Sequence, residues 1–187
     1  MKKRLDLSWF SSKPASRLLL TLLPVLAFPL ATAAGEGDQY TRAVMVMGVS
    51  EGYSAGMALG LGYGLRLPHA SDHLSVEGEI AKNFSHMSHH DSGSQIKRSY
   101  ARGALYLALT YPIDPRFDIK GKIGAHYTSF QDRGGNSTDT RHDSDQGMET
   151  GIGALIHFRA RQDIIVEYTS TTLNDFTQLI VGMQLSF

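Results

Sequence analysis

The sequence predicts an all-β protein, an eight-stranded antiparallel up-and-down transmembrane β-barrel preceded by a signal peptide. Three observations predict it. The chain opens on a basic, then apolar, then small-residue gradient. After that, segment upon segment alternates apolar residues with small or charged ones at a period of two. The connections between segments alternate short turns with longer polar stretches.

The leader comes first. Lys2, Lys3, Arg4, Lys13 and Arg17 precede an apolar run from Leu18 to Leu30, which ends in Ala31-Thr32-Ala33. That order is the signature of a signal peptide. The run holds Pro24 and Pro29 and is shorter than the ~20 residues a spanning helix needs. Residues 1–33 are therefore expected to be a signal peptide and residues 34–187 a single barrel domain. The chain has 18 basic and 18 acidic residues; five of the basic ones and Asp6 lie in the leader, leaving a net charge of −4. This is not the balance of a nucleic-acid-binding protein. Cysteine is absent, so no thiol follows the leader to carry a lipid. A domain of roughly 150 residues needs no disulfide.

The strands follow from the last one backward. Phe187, Leu185, Met183, Val181 and Leu179 share one parity, and Ser186, Gln184, Gly182 and Gln178 the other. Side chains alternate across a strand, so this segment has one oily face and one mostly polar face. Residues 150–158, 117–127, 101–111, 57–67 and 74–81 repeat the pattern. Residues 164–172 alternate less cleanly, with Glu167 on the polar parity. Residues 40–49 are apolar on both parities near the middle, which leaves their facing open. Stretches 68–72, 112–116 and 160–163 carry turn residues. Stretches 87–95 and 131–146 are polar and read as long loops.

A soluble barrel would have the same period with the faces reversed. Here the less apolar parity is crowded with glycine and with Arg66, Glu77, Glu79, Arg98, Arg102, Lys120, Lys122, Glu149, Arg159 and Glu167. Charges of both signs can pair in a narrow lumen. The apolar parity is long, and aromatics stand near strand ends: Tyr63, Tyr111, Phe117, Tyr127, Phe158 and Phe187. Aromatic girdles mark a lipid-facing band. Closing the sheet also pairs every backbone group, as hydrocarbon requires.

From about residue 38 onward the chain resembles the small OmpA/OmpX-type outer-membrane barrels. The resemblance rests on the signal peptide, the alternating strands, Gly60-Leu61-Gly62-Tyr63-Gly64, the Glu-bearing strands and the final strand. It implies residence in the outer membrane, among lipid and lipopolysaccharide. It also implies that the barrel-assembly machinery reads the last strand, where Gly182, Leu185 and Phe187 match the family pattern and Ile180 departs from it. The peptidoglycan-binding domain of larger members has no counterpart in this sequence.

This reading makes the chain a structural or cell-surface interaction protein with a filled lumen and no cofactor. Extracellular partners would meet the stretches 87–95 and 131–146. Three other chemistries compete. His86, His89, His90 and Asp91 cluster in one polar stretch, and imidazoles with a carboxylate can hold Zn²⁺ or Cu²⁺; a solvated loop has the same composition. Lipid A deacylases are barrels of this size with a lipid-facing His and Ser two apart. His86-Met87-Ser88 has that spacing, but His89 stands where the deacylase pattern has Asn, and no acid can be assigned. His126-Tyr127-Thr128 comes near it, with Thr and on the inner parity. A narrow pore is the third, although an eight-stranded interior is only wide enough for side chains.

Overall fold

A computed structural model of the protein describes residues 38–91, 94–134, 140–171 and 176–187. The expected signal peptide and its cleavage site lie outside them. The described chain forms β1 Gln39–Val49, β2 Gly56–Arg66, β3 Leu74–Asn83, β4 Met87–Asp91, β5 Ser94–Asp114, β6 Phe117–Gly134, β7 Thr140–Arg159, β8 Gln162–Thr171 and β9 Thr177–Ser186. Every pairing is antiparallel. The first strand pairs the last, from Tyr40 opposite Ser186 to Val49 opposite Thr177, and closes the sheet. Both β3 and β4 pair with β5. They are one stave interrupted at residues 84–86, so the barrel has eight staves.

Side-chain exposure decides the facing. Leu61 is 62% exposed and Ile152 64%, whereas Lys120 is 2% exposed and Glu77 1%. The apolar parity faces outward and the charged parity fills the interior, the reverse of a soluble barrel. The facing of β1 is fixed as well: Tyr40, Arg42, Val44 and Val46 are buried, and Met45 and Met47 are exposed. Outward aromatics form two belts. Tyr111, Phe158 and Phe187 stand at the short-turn end, and Phe84 and Tyr168 stand toward the other. Amphipathic rings favour the two membrane interfaces.

The connections differ from the sequence reading in one respect. Stretches 87–95 and 131–146 are not simply loops. Residues 87–91 pair with 94–98, and 131–133 with 140–142. The hairpins continue as paired ribbon beyond the apolar band. There the outer face meets water in place of lipid, so the apolar alternation is lost while the hydrogen-bond ladder persists. At the opposite end the turns stay tight. One of them places Arg161 at φ 68° in a two-residue connection between β7 and β8, the left-handed geometry that short hairpins use. The short turns, with the start of β1 and the end of β9 beside them, mark the periplasmic side, and the extended ribbons the extracellular side.

Candidate functional site in the barrel lumen

Four cations and four carboxylates meet inside the barrel. Arg42 comes from β1, Glu77 and Glu79 from β3, Arg102 from β5, and Lys120 and Lys122 from β6. Glu149 comes from β7 and Glu167 from β8. All eight are buried. Their presence on one face follows from the period of two in each strand.

Glu167 is the hub. Its Oε1 lies 2.6 Å from Arg42 Nη2 and 3.0 Å from Lys120 Nζ, and its Oε2 lies 2.6 Å from Lys122 Nζ. Arg42 Nη1 also reaches Glu77 Oε2 at 2.8 Å, and Lys120 pairs with Glu77. A second group centres on Arg102. It donates to Glu149, Gln178 and the Tyr106 hydroxyl, and to Glu79 at 3.3 Å. Most of these pairs join staves that are not neighbours in the sheet: β1 to β8, β1 to β3, β5 to β7 and β6 to β8. They tie the wall across the lumen.

Two glycines make room for the tyrosines of this network. Tyr40 stands opposite Gly64 and Tyr106 opposite Gly124. A Cβ at Gly64 would fall within the Tyr40 ring, and one at Gly124 would meet Tyr106 Cδ1 at 2.7 Å. The Tyr40 hydroxyl thereby bonds Glu77, and Ser75 Oγ at 3.0 Å; the Tyr106 hydroxyl donates to Glu149 Oε1 at 3.1 Å.

Above the ions the lumen is apolar. Tyr100, Phe130 and Phe176 pack with ring centroids 5.5–6.5 Å apart, joined by Met87 and Val46. Over them Arg98 lies 4.2 Å from the centre of the Tyr53 ring and 4.9 Å from that of Phe130. Below the ions a polar cavity of about 190 Å³ opens at the periplasmic rim, lined in part by Tyr40, Lys120, His157 and Asp163. There His157 sits between Asp163 at 2.7 Å and Asp118 at 3.2 Å.

Three of the ten charged residues expected in the lumen lie outside the network. Arg66 is exposed at the end of β2, and Arg159 is exposed at the end of β7 with its guanidinium 5.2 Å from the Phe158 ring centre. Arg66 keeps the inward parity but stands past the rim; a register shift between His157 and Arg159 pairs Arg159 with Gln162, on the face opposite that of Asp163. Arg98 lies above the aromatic layer and binds Asp132 with two bonds of 2.7 Å. Arg42 was not singled out by the sequence, because β1 is apolar on both parities; once β1 is paired in register, it is the inward residue beside Gly62. The aromatic layer also went unread. Tyr100 and Phe130 share the lumen parity of their strands, which was the available signal.

Among the described residues no three His, Asp or Glu side chains are placed to hold an ion. His86 Nδ1 is 2.9 Å from Ser99 Oγ, and His89 contacts the Gly52 carbonyl. The side chains of His90 and Asp91 lie outside the described residues. His126 and Thr128 are buried in the lumen, with His126 Nε2 3.2 Å from Asp145.

Residues 20–187 match the family described as outer membrane protein beta-barrel domain. The chain belongs to this family. It is accordingly an outer-membrane protein, and its fold recurs in solved members of that membrane. Ail, the attachment invasion locus protein of Yersinia pestis, is 15% identical, with 82% of this chain and 100% of that one covered and a TM-score of 0.55. The N-terminal β-barrel domain of Pseudomonas aeruginosa OprF is 11% identical over 82% and 99%, with a TM-score of 0.58. Neisserial surface protein A is 12% identical over 82% and 99%, with a TM-score of 0.57. At such identities the likeness is one of fold. No curated protein sequence matches this chain.

Proposed function

We propose that the protein is a sealed structural barrel of the outer membrane that presents its extracellular ribbons at the cell surface, and that it conducts no solutes. The observation that carries this is the lumen's charge balance. Four cations and four carboxylates satisfy one another across the interior, with an aromatic layer above them. Ions buried in a narrow space cost several kcal/mol each unless paired, so the arrangement favours a plug that fixes the wall. In planar bilayers the purified protein should give no conductance steps of solute-pore size, and proteoliposomes should not swell in sugar solutions. Swelling at the rate of a general porin would overturn the proposal.

No specific observation favours lipid deacylation. His126 faces the lumen and not the lipid, and His86 bonds Ser99 in place of Ser88. Partners outside the cell would approach the ribbons over residues 87–95 and 131–146. The assembly machinery would read the final strand. Leu185 and Phe187 are exposed on its outer face, while Gly182 lies against Val44, which leaves no space there for a side chain. Deleting Phe187 should lower the amount of heat-modifiable barrel recovered from outer membranes several-fold, as read on unheated gels. Recovery equal to the unaltered chain would remove Phe187 from the signal.

A further inference from the structure

At the periplasmic mouth the wall is held by side chains as well as by its ladder. The β6–β7 pairing ends at Phe117 opposite Ile156, and the β7–β8 pairing shifts register between His157 and Arg159. His157 stands between these two irregular ends. Its backbone N–H donates to the Arg116 carbonyl at 2.9 Å. Its ring bridges the neighbouring staves. Nδ1 lies 2.7 Å from Asp163 Oδ1 on β8, and Nε2 lies 3.2 Å from Asp118 Oδ1 on β6. Asp163 Oδ2 in turn accepts from Gln184 Nε2 of β9 at 3.2 Å. One polar chain therefore runs across four consecutive staves, β6 to β9. A neutral imidazole has one N–H and one bare nitrogen. Whichever nitrogen is bare faces a carboxylate oxygen, and two acceptors repel. Only the imidazolium satisfies both carboxylates.

From this geometry we infer that His157 is a pH-sensitive strap across the periplasmic mouth. As imidazolium it ties β6, β7 and β8 together where their ladders are irregular. When it gives up its proton it loses one of the two contacts, and a bare nitrogen is left against a carboxylate. Strand ends of this kind open locally at low cost, so the wall beside the cavity loosens while the ion network above it stays paired. The strap is complete in acid and is released as the pH rises through the histidine's titration. Histidine is the side chain whose ordinary charge change falls in the physiological range, so this rim answers to the pH of the periplasm. Among the described residues, the other ionisable groups lining the cavity are Tyr40, Arg66, Asp72, His73 and Lys120. Lys120 is engaged by Glu77 and Glu167, and the Tyr40 hydroxyl by Glu77 and Ser75. His73 is the second group that titrates in the same range, and its ring centre lies 5.9 Å from that of Tyr111. The strap does not depend on whether the lumen conducts, so the inference stands apart from the sealed-barrel proposal.

The test is amide hydrogen exchange of the folded protein in detergent micelles between about pH 5.5 and about pH 8.5, a span that brackets the ordinary histidine titration. Each rate is divided by that amide's intrinsic rate at the same pH. The reporters are the amides of His157 and of residues 163–165, and the amides of residues 150–153, higher on the wall, are the internal control. In the unaltered protein, protection at the reporters should fall at least about threefold across this span, the scale of a partly solvated charged contact. The control amides should keep theirs. H157Q, neutral throughout, should show the low protection at every pH. H73N should behave as the unaltered protein does. If H157Q is not recovered folded, D118N takes its place; it keeps the ring, removes one carboxylate and should show a smaller fall. Reporter protection that ignores pH in the unaltered protein would overturn the inference. So would a fall that survives in H157Q, that keeps its full size in D118N, or that disappears in H73N.

Discussion

Replacing Glu167 with alanine is expected to destabilise the barrel by about 3–5 kcal/mol, the usual result of removing one partner from a buried ion pair. The effect is large because Glu167 is shared by Arg42, Lys120 and Lys122. Its removal leaves a positive excess in a lumen whose charges otherwise cancel. Glu149→Ala should fall lower in that range, since Arg102 keeps Glu79 and Gln178. Asp132→Ala offers the contrast. Its partner Arg98 is 16% exposed, so water can solvate part of the stranded guanidinium and the loss should be smaller than for Glu167→Ala. Urea unfolding in lipid vesicles, followed by circular dichroism or gel mobility, measures all three. The chain's single tryptophan is Trp9, which precedes β1, so tryptophan fluorescence gives no signal from the barrel. A loss below about 1 kcal/mol for Glu167→Ala would mean that water solvates the lumen cations, against the scale expected for a buried pair.

Gly124→Val is expected to cost about 1–3 kcal/mol or more, the range for overpacking a filled interior. A side chain at Gly124 meets the Leu105 carbonyl and the Tyr106 Cα and ring. The backbone atoms cannot withdraw without opening the β5–β6 ladder. The ring can move only by taking its hydroxyl away from Glu149 and Arg102. The same substitution at Gly121, on the outer face with nothing within 4 Å, should be close to neutral. Unfolding of the two variants side by side checks this. Equal stability would show that Tyr106 has another rotamer open to it and that the glycine is not required.

The extent of each strand was legible only where one face met lipid and the other the lumen. In residues 101–111 and 117–127 the contrast between faces is strong, and both segments lie within the observed strands β5 and β6. In residues 87–91 and 140–146 the outer parity is polar, as Ser88, His142 and Ser144 show, so the contrast between faces is lost. Polar composition there looks the same for a ribbon and a loop, and only the pairing partner distinguishes them. Arg159 stands past a register shift that breaks its strand's parity, and Arg66 shows the converse error. Parity assigns a side chain to a face, but whether that face still lies inside the wall depends on where neighbouring strands end.

The sequence by itself determined the barrel, its inverted facing and its membrane, because a period of two with a continuous apolar face is a property of local order along the chain. It also determined which charges could share the lumen. Which of them pair was decided only in three dimensions. Closure brings β1 beside β9, and this carries Arg42 across the lumen from Glu167, far away in sequence. Shear and register set the height of every side chain on the wall. Those heights separate a central ion network from the aromatic layer above it and the open cavity below, and no single strand records them.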